Sequence, residues 1–453
     1  MRRFLPGLAR EPDSGNGKPA AAGRRRGQLR LSANSMKDIA IYRGNIVFTP
    51  SPAAFAAYEQ AYIVVAGGVV ENIYPDLPAQ YQGLPVEDYG RRLILPGFVD
   101  LHVHAPQFYQ CGLGLDKELI EWLNEHTFSL ESRFADAAHA REAYSLFADE
   151  LVRQGTLRAC IFATVHSEAT AVLFAVLRQK GVGAFVGKVN MDRNCPDSLR
   201  EDTRQSLRET EQLLARYGSD PLVKPIITPR FAPTSTEELL TGLGELAQRY
   251  QAPVQSHLSE NRSEIRWVSE LFASASYAEV YHRCGLFGQT PTLMAHGIYL
   301  TEAEVELTRR QNVLLVHCPD SNANVASGIM PLRRLLSQGL RVGLGSDVGG
   351  GHTLSMRQAA VRAIQLSKLV KVADASAAPL TAAEAYYLAT KGGGRFFGKV
   401  GSFEPGYWFD ALVVEDEPRI TRYLSLPEQL QRFLYTGEAG QITARYVAGR
   451  RIG

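Results

Sequence analysis

His102 and His104 stand two residues apart in the run "DLHVH". Alternate residues of a strand share a face, so a strand here would point both imidazoles the same way. Two more histidines end apolar runs, His257 in "QSHLSEN" and His296 in "MAHGIYL", and a carboxylate, Asp347, stands in "GLGSDVGGG". Imidazole nitrogen with one carboxylate oxygen suits a borderline cation such as Zn²⁺. His102, His104, His257 and Asp347 would supply three nitrogens and one oxygen. A single histidine is more often structural. Five such groups at the ends of predicted strands point instead to a metal site. Glu260 follows His257 by three residues. A carboxylate beside a metal-activated water can take its proton and pass it to a leaving group. The plain alternative is a surface glutamate next to Glu264.

Something must gather groups so far apart in sequence. Strand-like apolar runs recur at 93–104, 157–165, 183–191, 223–231, 253–258, 291–298, 313–318 and 341–347. Helical segments such as "AYSLFADELVRQG" and "TEELLTGLGELAQRY" lie between them. Eight strand-plus-helix units predict an α/β fold, a closed (β/α)₈ TIM-like barrel, whose active site lies at the C-terminal strand ends. An open doubly wound sheet would want a glycine-rich phosphate loop after its first strand. The first strand here ends in "DLHVHAPQ". Short strands and turns from Asp38 to about Leu93, and again in "DALVVEDE" and "ITARYVAGRRI", predict a small β-sandwich domain built from both chain ends. The expected division is 37–92 plus 402–453 for the β domain and 93–401 for the barrel.

Composition excludes several classes. The net charge is +2, which gives no reason to expect nucleic acid as a partner. No apolar run approaches the ~20 residues of a membrane helix. The five cysteines, Cys111, Cys160, Cys195, Cys284 and Cys318, form no CxxC pair. An odd number without that spacing argues against a disulfide framework and fits a cytoplasmic setting. Residues 1–36 read as a disordered basic tail, or as a start assigned too early with Met36 as the first residue. The zinc deaminases built on H-x-E and P-C-x-x-C are excluded, because no PCxxC is present.

Four motifs in order, "PGFVDLHVH", "QSHLSEN", "MAHG" and "GLGSDVGGG", resemble the amidohydrolase superfamily in its mononuclear deaminase branch. "HAPQFYQCG", "EWLNEHTF", "GKVNMD", "ITPRFAP" and "HCPDSNANVASG" narrow the resemblance to the guanine deaminases, over roughly residues 37 to 450. The resemblance implies one Zn²⁺ per chain on His102, His104, His257 and Asp347. It implies Glu260 as proton shuttle, His296 as its assistant, and guanine and water as substrates of a hydrolytic deamination to xanthine and ammonia. It implies purine contacts from Gln107, Arg230 and Phe231, and a homodimer. Arg230 is alternatively a salt bridge at the barrel rim, Phe231 a core residue, and Trp122 either a lid over the pocket or plain packing. His166, His317, His126, His139 and His282 are read as structural, and Lys188 as no metal bridge. His352 and Thr353 depart from the expected pattern. The competing substrates are other amino-heterocycles (8-oxoguanine, a pterin, a triazine). The competing class is a non-catalytic barrel acting in assembly, which would have lost metal ligands.

Overall fold

The computed structural model describes residues 39–274 and 276–453, so the expectations for residues 1–36 fall outside the described residues. The chain opens with β1 (Ile39–Ser51), β2 (Ala54–Ala66), β3 (Val69–Tyr74) and β4 (Val86–Pro96). There follow β5 (Phe98–His104), β6 (Thr156–Phe162), β7 (Gly183–Gly187), β8 (Val189–Asn190), β9 (Val223–Pro225) and β10 (Thr228–Pro229). Then come β11 (Val254–Leu258), β12 (Thr292–His296), β13 (Leu314–His317) and β14 (Arg341–Leu344). β15 (Ala411–Val414), β16 (Ile442–Val447) and β17 (Arg450–Ile452) end the chain.

β5-β6-β7-β9 and β11-β12-β13-β14 are parallel sheets, and β8 pairs in parallel with β10. Two seams close them into a barrel. Ile227 bridges Val254 in parallel at one seam. At the other, the Asp347 N–H donates to the His102 carbonyl at 2.8 Å and the His104 N–H to the Val348 carbonyl at 3.0 Å. Every residue of β5, β6, β12 and β13 is buried. Strands covered on both faces read as unbroken apolar runs rather than alternation. The intervening helices start where side chains cap them: Asp136 accepts from the Ala138 N–H, Asp202 from Gln205, and Asn261 forms a capping box with Glu264.

Three expected runs are divided. The run 93–104 breaks at Gly97. Leu93–Pro96 pair with β15, and only Phe98–His104 enter the barrel. A Cβ at Gly97 would lie 2.2 Å from Leu157 Cδ1, so the crossing requires glycine. The runs 183–191 and 223–231 each split into two short strands. Pro225 and Pro229 bring no N–H to the ladder.

The chain ends form one seven-stranded sheet, ordered β17-β16-β15-β4-β1-β2-β3. Tyr42 stacks on Phe409 at 4.5 Å between centroids in its core. No helix of the described residues is long and apolar enough to cross a membrane.

A buried ion pair ties the sheet to the barrel. Arg158 on β6 donates from Nε and Nη2 to Asp410 at 2.6 and 3.1 Å, and the Ala448 N–H donates to the same carboxylate at 2.7 Å. Asp410→Ala would leave Arg158 buried without its counter-charge. Breaking such a pair costs about 3–5 kcal/mol. The midpoint of thermal unfolding is expected to fall clearly, and an unchanged midpoint would show that the pair contributes nothing.

Candidate active site

The C-terminal strand ends bring the predicted groups together. His102 and His104 leave β5, His257 leaves β11, His296 ends β12, and Asp347 follows β14. His104 Nε2 and His257 Nε2 are 3.2 Å apart. Asp347 Oδ1 lies 3.1 Å from His102 Nε2 and 3.4 Å from His104 Nε2. One ligand atom from each of His102, His104, His257 and Asp347 falls within 4.8 Å of the others. A second set, His102, His296, Cys318 and Asp347, overlaps it at the same spacing.

The backbone is strained to achieve this. Both His296 and Asp347 take left-handed φ, 70° and 48°. Non-glycine residues there cost of order 1–3 kcal/mol. Strand packing beside them is equally tight. A Cβ at Gly345 would lie 2.8 Å from His102 Cβ and 2.9 Å from Val316 Cγ1. Asp100 locks the seam, accepting from the His102 N–H at 3.1 Å and the Ser346 N–H at 3.0 Å. Burial pushes its carboxyl up to about 6, against the opposing pull of these hydrogen bonds and the Ser346 hydroxyl.

Protonation follows burial and neighbours. Burial lowers His104 to about 4 and holds His257 well below the usual imidazole value. Both are therefore neutral at pH 7, the form that offers a lone pair. The His257 Nδ1–H donates to the Arg230 carbonyl at 2.6 Å, which turns Nε2 toward the cluster. Burial opposes ionisation of Asp347, but the neighbouring His102, His104 and His296 rings outweigh it and hold the carboxyl well below its usual range. Burial lifts Glu260 to about 8; the Asp347 charge adds to this and the Ser327 hydroxyl opposes it. Glu260 Oε1 accepts from Ser327 Oγ at 2.8 Å, and Oε2 lies 3.3 Å from His296 Nε2. The His296 Nδ1–H donates to Asn322 Oδ1 at 2.8 Å.

These groups open onto one cavity. His104, Gln107, Trp122, Arg230, Phe231, His257, Glu260, His296 and Asp347 all line it, and of the predicted site residues only His102 lies behind its wall. Arg230 faces the cavity and also pairs through Nη1 with Glu131 at 2.6 Å. Trp122 is 3% exposed, on the cavity wall, and its Nε1–H donates to the Leu113 carbonyl at 3.0 Å.

Residues 93–452 match the amidohydrolase family. The chain belongs to that family. It is 38% identical to the guanine deaminase of Dictyostelium discoideum over 81% of this chain and 84% of the relative. It is 36% identical to that of Escherichia coli over 81% and 84%. The crystal structure of the guanine deaminase from C. acetobutylicum, with bound guanine in its active site, superposes with a TM-score of 0.91 at 46% identity, covering 92% of this chain and all of that one. Triazine hydrolase, at 16% identity and a TM-score of 0.79, shares the fold.

Several polar groups of this amidohydrolase site were not legible from motifs. Ser327 and Asn322, which hold Glu260 and His296, belong to "HCPDSNANVASG" but carry no signal of their own. Leu119, Leu123 and Val325 supply apolar wall. Lys188 is buried and pairs with Glu201, and His317 is buried without a partner at Nδ1. His352 is exposed beside Asn324 at 3.1 Å, and neither it nor Thr353 lines the cavity.

A planar aromatic ligand entering this cavity meets Trp122. Tryptophan emission is expected to change on binding, and Trp122→Phe should remove most of that change while Trp267 and Trp408 remain. A full signal in Trp122→Phe would place the ligand elsewhere.

Proposed function

We propose that this amidohydrolase hydrolyses guanine to xanthine and ammonia with one zinc ion, acting as a cytoplasmic homodimer. The observation that carries the reading is the cavity itself. A cluster of three imidazoles and a carboxylate lies at one end, and a buried arginine and glutamine sit beside an aromatic wall. The relative crystallised with guanine supports it at 46% identity. The dimer rests on the family resemblance, and the five unpaired cysteines fit a reducing compartment. For the domains we keep a β unit of 37–92 with 402–453 apart from a barrel at 93–401; the shared seven-stranded sheet supports the division, with β4 carrying the β unit on to Pro96.

The residues fit a zinc ion. His102 Nε2 is buried with no hydrogen-bond partner in the protein, a costly state that a cation at the cluster would relieve. His102, His104, His257 and Asp347 would hold it, a set of three nitrogens and one oxygen that matches zinc. When bound, the metal supplies a water acidified enough to attack at neutral pH.

The remaining chemistry belongs to the chain. Arg230 offers planar N–H donors to the acceptor edge of the purine, and Phe231 and Trp122 flank the ring. Water oxygen bonds to C2, and the C2–amine bond breaks. Glu260 takes one water proton and places it on N3, then takes the remaining proton of the added hydroxyl and passes it to the amine as ammonia leaves and the C2 carbonyl forms. Ser327 holds one Glu260 oxygen, so the other stays free to move the proton. His296, fixed through Nδ1 by Asn322, steadies the incoming oxygen with Nε2.

The test is ammonia and xanthine formation from guanine by purified protein, with zinc measured in the same sample. Turnover with one zinc per chain supports the reading; zinc without turnover redirects it to other amino-heterocycles. Glu260→Gln is expected to keep the metal and lose on the order of 10²–10⁴ in kcat. Retained activity would remove Glu260 from proton transfer. Arg230→Ala is expected to raise KM for guanine about tenfold or more, as for a lost hydrogen bond to a charged group, while the zinc content holds. An unchanged KM would take Arg230 out of recognition.

A further inference from the structure

Glu131 is buried to 2% exposure and does not line the cavity. It nevertheless holds two polar residues of the cavity wall, Gln107 and Arg230. Gln107 Nε2 donates to Glu131 Oε1 at 2.8 Å, and Arg230 Nη1 donates to Glu131 Oε2 at 2.6 Å. The other end of Gln107 is also tied, since the Gly349 N–H donates to its Oε1 at 3.1 Å.

This arrangement removes a freedom that a glutamine ordinarily keeps. An amide rotated by half a turn would exchange its oxygen and nitrogen. Here that rotation would set the Gln107 oxygen against a carboxylate that only accepts, and its NH₂ against a backbone N–H that only donates. Both contacts would be repulsive, and both are buried. Glu131 and Gly349 therefore pin the amide in one orientation. Glu131 also anchors the guanidinium of Arg230, whose other side lies over the Phe128 ring at 5.2 Å. Phe128 and Glu131 share one helical turn, and Leu119, Trp122 and Leu123 of the preceding turns form cavity wall. One segment thus covers the cavity and fixes the groups that read its occupant.

We infer that Glu131 is a specificity-determining positioning residue. It turns the donors of Arg230 and Gln107 toward the substrate, so the pocket takes a 6-oxopurine in preference to a 6-aminopurine. The inference rests on the purine reading given above. A 6-oxopurine presents the acceptors O6 and N7 on one edge, whereas a 6-aminopurine replaces O6 with an N–H donor. Donors facing a donor leave buried groups unpaired, which rejects the wrong ring more strongly than a lost contact does.

The test uses zinc-loaded enzyme with guanine as substrate, and hypoxanthine and adenine as competitive inhibitors. Glu131→Gln can rotate its own amide, so it no longer fixes Gln107. It is expected to raise KM for guanine at least tenfold, to change kcat less than threefold, to leave zinc content unchanged, and to narrow the adenine-to-hypoxanthine Ki ratio at least fivefold. A merely structural role would lower the active fraction, and so apparent kcat, without moving KM or that ratio. Glu131→Asp keeps the charge but is one methylene shorter and cannot span both partners. It is expected to raise KM at least threefold with kcat retained, and it carries the test if Glu131→Gln does not fold. An unchanged KM and Ki ratio in a folded variant would overturn the role of Glu131 while guanine turnover by the unaltered enzyme stands. Unaltered enzyme that neither turns over nor binds guanine would overturn the purine reading and this inference together.

Discussion

Closing the ring of strands at its last seam is the constraint on which the site depends. The Asp347 N–H meets the His102 carbonyl, and the His104 N–H meets the Val348 carbonyl. These bonds bring a carboxylate from the end of the barrel against two imidazoles from its beginning. Asp100 reinforces the seam by accepting N–H groups from both sides, His102 and Ser346. Gly345 permits the approach, because any side chain there would collide with His102 and Val316. The left-handed backbone at His296 and Asp347 is the cost of turning side chains inward at a crowded rim. Surrounding packing has to supply that energy, and the fully buried strands beneath the rim do so.

Polar groups this deeply buried are tolerable only when each has a defined partner. Around the cluster nearly every functional side chain has one: His257 has the Arg230 carbonyl, His296 has Asn322, Glu260 has Ser327, and Gln107 and Arg230 have Glu131. The exceptions are telling. His102 Nε2, His104 Nδ1 and His296 Nε2 find no hydrogen-bond partner in the protein, and the two Nε2 atoms belong to the clustered imidazoles. Arg230 ties two networks together, since its carbonyl orients the His257 imidazole while its guanidinium faces the cavity.

Some of this was legible without coordinates. The "HVH" spacing placed two imidazoles on one strand face, and the succession of apolar runs and helical segments predicted the barrel. Strand boundaries were less legible. Runs 183–191 and 223–231 looked continuous because apolar character ignores hydrogen bonding, whereas Pro225 and Pro229 interrupt the ladder. The run 93–104 looked like one strand because its residues are buried throughout, although Gly97 hands the chain from one sheet to another. Glu131 carried no signal. It lies 99 residues from Arg230 and 24 from Gln107, and a lone glutamate in a helical stretch reads as a solvated charge.

The family resemblance alone pointed to an arginine and a glutamine for a heterocycle; the sequence by itself offered three imidazoles and a carboxylate suited to a metal, and a glutamate suited to moving protons. Residue type and short-range spacing suffice for that, because ligand preference and strand geometry are local properties. The tertiary structure alone decided how these groups are held and protonated. The lowered His104 and His257, a raised Glu260, a pinned Gln107 amide and a guanidinium anchored on Glu131 all arise from burial and from contacts between residues distant in the chain. Desolvation and through-space charge depend on what surrounds a group in the fold, and neighbours in sequence do not report that.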